Sequence, residues 1–509
     1  MASSIYHTII FFLLLTLTLA QVRIPITRKI HLPQPAFSRR FSTRASISGS
    51  LANDLTQASY VISIKVGTPP QDIDLIVDTG SSDTWLITNT ANSCTGFGLE
   101  HLNKTETLPC ITPYNPHTSS SMNGNVTTDT FLIEYMDGRK SKGSYIADTF
   151  TMGNATVQSL QMGLASTTDI RTGTLGLGYS INVASNTIYP NIIDELVSQK
   201  LINTRAYSLY LDSADSSTGY ILFGAVDTSK FAGELVGIDI VPQPYWNGSV
   251  LYSLFAIELV GLGITDQQGK TTNFTSSPQA VLLDSGTSIM TLPPELTSVI
   301  FKYFSAYDDT NSTGNVYLPC SLLNTSSDLT MNYLFSSSSV SATIKIPLSE
   351  LIFPLSNPIY TPWPNVPMPD LPYSDDVCAF GIQTGAPDNY FLGDTFLRSA
   401  YVVYDLEHNQ IGIAQADFDS NGSDENIVEL NAGQPAVLAL SSAITSASAS
   451  TTEAASPTTS GSQISGTSAA AKPTETKKSG GAVLKSENIN LGVLGCVIMG
   501  GLIFSGGIV

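Results

Sequence analysis

The chain has 509 residues, enough for two lobes with substantial cores, and only 13% of them are charged. A formal net charge of -19 argues against nucleic acid as a partner. Abundant Ser, Thr, Asn and Gly fit a secreted, strand-rich protein better than a cytosolic helical one.

Residues 8–20 form a short apolar block ending in small residues, which reads as a signal peptide spanning 1–20. It is shorter than a membrane span of about 20 residues. Residues 21–40 follow as a basic, proline-interrupted leader without periodicity, closed by the dibasic pair Arg39-Arg40. Residues 1–53 contain no Asp or Glu, and removal through Arg40 leaves 18 basic against 42 acidic side chains. The contrast predicts an inhibitory leader lying across an acidic cleft.

From Tyr60 the alternation Val61-Ile62-Ser63-Ile64-Lys65-Val66 predicts a strand, and Gly67-Thr68-Pro69-Pro70 a turn. Short strands continue to Ala416, with helices expected at Tyr189–Leu201, where Pro190 opens, and at Pro293–Phe304. The fold class is therefore mostly β. Leu75-Ile76-Val77 runs into Asp78-Thr79-Gly80-Ser81, and 206 residues later Val281-Leu282-Leu283 runs into Asp284-Ser285-Gly286-Thr287. Each copy brings an apolar strand to one carboxylate, turns at glycine and places hydroxyls where they can hydrogen-bond the acid. Asp-Thr-Gly alone is ordinary turn chemistry. Two copies point to a duplicated domain with one carboxylate per half: an N-terminal lobe at 41–205 and a C-terminal lobe at 206–420, divided near Arg205.

The cysteines are Cys94, Cys110, Cys320, Cys378 and Cys496, without metal-like spacing, so no metal and no cofactor are expected. Four cysteines in an exported protein allow three pairings. The sequential one, Cys94–Cys110 and Cys320–Cys378, keeps each bridge within a lobe, and the first contributes about 3 kcal/mol in the chain-entropy model. Asn-x-Ser/Thr sequons at Asn103, Asn125, Asn154, Asn247, Asn273, Asn311, Asn324 and Asn421 predict a glycosylated surface. A stalk is expected over 421–480, Ser/Thr/Ala-rich from Ser441. Small residues around Gly480, a polar spacer and the uncharged run Leu491–Val509 then have the order of a glycosylphosphatidylinositol anchor signal, with 481–509 removed on maturation.

Both Asp-(Thr/Ser)-Gly turns, Tyr135 in a hairpin, Leu175-Gly176-Leu177-Gly178 and Phe391-Leu392-Gly393-Asp394-Thr395-Phe396-Leu397-Arg398 occur in an order that resembles the pepsin-like aspartic proteases over Ala58–Ala416. The processing signals at both ends are most similar to the fungal yapsin-like branch. The resemblance implies a bilobal, monomeric endopeptidase acting on proteins or peptides, with catalytic Asp78 and Asp284. In that likeness Ser81 and Thr287 hydrogen-bond the outer carboxylate oxygens, and Thr79 and Ser285 tie the loops together. Tyr135 is the flap tyrosine, flanked by Asp137, with Trp85 as its hydrogen-bond partner. Met136 departs from the family's usual glycine, and Arg139, Lys140 and Lys142 make the tip basic. Two glycine-containing segments pass beneath the catalytic loops. The alternative is a catalytically silent, wall-anchored binding protein of the same fold. Cleavage preference stays open between basic sites, favoured by Asp83 and Asp137, and broad hydrophobic sites.

Overall fold

The computed structural model describes residues 22–29, 59–92, 94, 110–124, 126–135, 138–214, 216, 218–244, 249–274, 277–326, 328–337, 340–355, 369–373, 376–418 and 426–438. The signal peptide, the Gly480 region, Asp137, and the sequons at Asn103, Asn125, Asn247 and Asn421 lie outside them. The fold is mostly β. Its first half comprises β1 (Val22–Lys29), β2 (Ser59–Val66), β3 (Gln71–Asp78), β4 (Thr84–Ile87), β5 (Thr130–Glu134), β6 (Lys140–Met152), β7 (Ala155–Thr168) and β8 (Gly173–Gly176). After helix α1 (Ile192–Ser198) come β9 (Ala206–Tyr210), β10 (Thr218–Phe223), β11 (Ala225–Asp227) and β12 (Phe231–Asp239). The second half continues with β13 (Ala256–Thr265), β14 (Gln279–Leu283), β15 (Met290–Leu292), α2 (Pro294–Phe304), β16 (Phe391–Leu392), β17 (Ala400–Asp405), β18 (Gln410–Ala416) and β19 (Ile427–Glu429).

One sheet runs through both halves in the order β12-β18-β17-β9-β10-β1-β2-β3-β8-β4-β7-β6-β5. A second sheet contains β13-β14-β16-β15 as neighbours. Alternation sets the faces: in β5, Phe131 and Ile133 are buried while Leu132 is exposed. The two expected disulfides are formed, Cys94–Cys110 and Cys320–Cys378. Asn154, Asn273, Asn311 and Asn324 are exposed.

The structure corrects three expectations. First, residues 22–29 are not an irregular leader lying over the cleft. Their backbone joins the two halves of the large sheet, pairing Val22–Thr27 with β10 and Thr27–Lys29 with β2. Second, α1 is shorter than predicted. Asn191 rather than Pro190 sets its start, because the Asn191 side chain accepts from the Ile193 and Asp194 N–H groups. Helix α2 keeps its predicted extent and ends where Ser305 turns left-handed at φ 54°.

Third, the folded body extends beyond 420 to Leu438. Strand β19 pairs antiparallel with β11, and the Leu430 N–H donates to the Gly224 carbonyl at 2.9 Å. The Ala436 N–H reaches the buried Asp405 carboxylate at 3.0 Å. Leu430 and Ala436 pack with Tyr401, Val403 and Tyr210. Neighbouring residues in a strand face opposite sides. Tyr404 stacks on Tyr207, whose hydroxyl donates to the Leu177 carbonyl below Asp78, so this C-terminal strap covers the sheet face turned away from Asp78.

Candidate active site

Each Asp-containing turn sits at the end of one apolar strand and is braced by a second, parallel strand. Strand β8 runs alongside β3 with Asp78 opposite Gly176, and β16 runs alongside β14 with Leu283 opposite Leu392. The Leu177 N–H donates to the Asp78 carbonyl at 2.9 Å, and the Asp284 N–H donates to the Leu392 carbonyl at 3.1 Å. Where these segments cross the turns, backbone approaches backbone. A Cβ at Gly176 would lie 2.6 Å from the Asp83 carbonyl oxygen, and one at Gly393 would lie 2.2 Å from that of Thr287.

The two turns are near copies in their hydrogen bonds. Gly80 N–H donates to Asp78 Oδ1 at 2.8 Å, and Gly286 N–H to Asp284 Oδ1 at 2.8 Å. Ser81 Oγ donates to Asp78 Oδ2 at 2.6 Å, and Thr287 Oγ1 to Asp284 Oδ2 at 2.6 Å. Thr79 and Ser285 lock the turns together. Thr79 Oγ1 donates to the Leu283 carbonyl at 2.9 Å and accepts from Ser285 N–H at 3.0 Å. Ser285 Oγ donates to the Val77 carbonyl at 2.8 Å and accepts from Thr79 N–H at 3.2 Å.

The carboxyls face each other across the glycines. A Cβ on Gly80 would fall 2.5 Å from Asp284 Oδ1, and one on Gly286 would fall 2.5 Å from Asp78 Oδ1. Burial raises both carboxyls above the ordinary carboxylate range, and the neighbouring Asp78 charge pushes Asp284 higher still. Two acids so close cannot both ionise easily, so they hold one proton between them. Such a pair can take a proton from water and give one to an amide.

Strands β5 and β6 form the expected hairpin, with Tyr135 N–H donating to the Arg139 carbonyl at 2.8 Å across its tip. Gly138 takes the left-handed conformation there, φ 82°. Part of the tip's basic charge is paired, Lys140 with Glu134 at 3.0 Å. Tyr135 is buried in one aromatic cluster with Trp85 and Phe131. Among the described residues Trp85 Nε1 is buried with no hydrogen-bond partner, so the expected Trp85–Tyr135 bond is replaced by packing in this conformation. Asp83 is a second correction. It has no solvent exposure and is held by Tyr145, Tyr189 and the Ala184 N–H, so it does not present a carboxylate to a cationic substrate side chain. Sequence reasoning gave no site role to Tyr145 and Tyr404, which lie in ordinary strands, or to Tyr189, which it read only as the start of a helix. Among the described residues no cluster of His, Cys, Asp and Glu could hold a metal ion.

Residues 59–416 match the family model for eukaryotic aspartyl protease. The chain is 36% identical to a probable aspartic-type endopeptidase opsB of Aspergillus fumigatus, over 75% of this chain and 73% of that protein. It is 32% identical to an acid protease of Saccharomycopsis fibuligera, over 75% of this chain and 87% of the relative. It is 30% identical to candidapepsin-3 of Candida albicans, over 74% and 83% respectively. The crystal structure of an aspartic proteinase from Irpex lacteus superposes with TM-score 0.55 at 21% identity, covering 80% of this chain and 100% of that one, a likeness of fold. With its paired turns, its hairpin and its whole central region matched, the chain belongs to the eukaryotic aspartyl protease family.

Proposed function

We propose that Asp78 and Asp284 are the catalytic dyad of an acid-active endopeptidase exported to the cell surface. The observation that carries the reading is the symmetry of the two turns: each carboxyl receives one backbone N–H and one hydroxyl, at matching distances. Those bonds hold the carboxyls fixed while leaving a shared proton between them. A water placed between them loses a proton to the ionised carboxyl as the protonated one polarises the peptide carbonyl. The hairpin bearing Tyr135 closes over the peptide from the other side.

Export is supported by the 1–20 apolar block, by two disulfides and by exposed sequon asparagines at 154, 273, 311 and 324. The stalk then runs from about residue 439, and the lipid is attached near Gly480 in exchange for 481–509. Asp78→Asn and Asp284→Asn test the dyad: each abolishes hydrolysis at about pH 4 to 5 while the protein is still exported. Turnover near the wild-type rate by either variant refutes it. Phospholipase release of the intact protein tests the anchor. A tryptic peptide from 491–509 in the mature protein refutes it.

A further inference from the structure

Asp83 lies five residues after Asp78 and is fully buried, yet the dyad chemistry does not use it. A carboxyl with no solvent is tolerated only where its lone pairs are satisfied. Asp83 meets that condition from three directions. Its Oδ1 accepts from Tyr145 Oη at 3.1 Å and from Tyr189 Oη at 2.7 Å, while Oδ2 accepts from the Ala184 N–H at 2.7 Å. Its backbone carbonyl accepts from Gly176 N–H at 3.2 Å, in the strand that braces Asp78.

These partners belong to three separate pieces of the site. Tyr145 is on β6, the returning strand of the hairpin. Ala184 and Tyr189 lie in the segment leading to α1. Gly176 is directly opposite Asp78. The Tyr145 ring meets Phe131 of β5 edge-on at 5.5 Å, and Phe131 meets Trp85 at 5.9 Å, so both hairpin strands are packed against the Asp83 segment. Asp129, one residue before β5, holds the 185–187 turn from outside. Its Oδ2 accepts from Ser185 Oγ at 2.7 Å and from Thr187 N–H at 3.1 Å.

We propose that Asp83 is a positioning residue for peptide hydrolysis, pinning the base of the hairpin and the 183–189 segment to the stretch that carries Asp78. An amide at position 83 breaks this arrangement. If its oxygen faces the two tyrosines, its NH₂ confronts the Ala184 N–H, and the reverse orientation turns both hydroxyls from donors into acceptors, so their protons lose the carboxylate oxygen. The inference rests on the dyad reading above.

The test uses the full chain as its host matures it, with Asp83→Asn, Tyr145→Phe and the double variant. Active sites are counted by titration with a statine-type inhibitor. Misregistration of the hairpin lowers kcat by about tenfold to about a hundredfold for Asp83→Asn, with KM changed by less than about threefold. Tyr145→Phe keeps the ring and deletes one hydroxyl, so it gives a smaller fall in kcat. The double variant is no worse than Asp83→Asn, because both act through one network. If kcat per titrated site stays within about twofold of wild type in every variant and only the melting temperature drops, Asp83 is a packing residue and the inference fails. Should Asp83→Asn not fold, Tyr145→Phe decides alone. A wild-type protein that neither binds the inhibitor nor cleaves peptide in acid sinks the dyad reading instead.

Discussion

Replacement of Thr79 by Val removes one hydroxyl from the lock between the two turns and keeps nearly the same shape. Thr79 is 2% exposed and Ser285 is 1% exposed, so water cannot replace the lost bonds. Two backbone groups lose their partner, the Leu283 carbonyl and the Ser285 N–H. An orphaned buried group costs about 1 to 3 kcal/mol, so the pair costs about 2 to 6, and relaxation with loss of the hydroxyl's own desolvation brings this to about 3 kcal/mol. Ser285→Ala orphans Val77 and Thr79 in the same way and has a similar cost. The double variant falls short of the sum because the loops are already loosened by the first change. Denaturant unfolding at fixed pH measures the cost, and steady-state kinetics show kcat falling as the carboxyls lose their common plane. A Thr79→Val protein within about 0.5 kcal/mol of wild type and with unchanged kcat refutes the lock as a load-sharing device.

Gly286→Ala places a methyl 2.5 Å from Asp78 Oδ1, so the dyad must open and kcat falls at least about a hundredfold while the fold survives. Circular dichroism and inhibitor titration separate the two effects. Asp284→Asn has a stability signature opposite to its activity. The folded carboxyl is raised above its ordinary value, so its contribution to stability is full below about pH 4 and is lost as pH rises through the folded value. A neutral amide escapes that loss, so the variant outlasts wild type in thermal melts at neutral pH, and the difference vanishes in strong acid. A pH-independent difference contradicts this. Glu350→Ala removes the carboxylate that pairs with Arg398, 1% exposed, and destabilises by about 3 to 5 kcal/mol in denaturant titration.

The turns are legible in the sequence because their chemistry is contiguous: acid, hydroxyl and glycine occupy neighbouring positions behind an apolar strand. The hairpin is legible for a similar reason, since Phe131, Ile133 and Tyr135 alternate with polar or exposed neighbours. Asp83 is misread because its partners Tyr145 and Tyr189 lie 62 and 106 residues away, and an acid next to a catalytic turn looks like part of the cleft. Strand β1 is missed because its alternation, Val22, Ile24 and Ile26, is short and carries Pro25 within it, while pairing on both edges supplies the order. Strand β19 is three residues long, too short for any period to show, and the sheet edge at β11 selects it.

The strap after Ala416 has a mechanical consequence. A pull on the chain beyond Leu438 loads the Ala436–Asp405 bond first, then the three-residue β19–β11 pairing, before either turn feels it. In a protein held by its carboxyl end the strap therefore works as a strain relief, sparing the lock at Thr79 and Ser285. Because it leaves from the sheet face opposite Asp78, a body held by its carboxyl end turns its reactive side outward, toward whatever diffuses past.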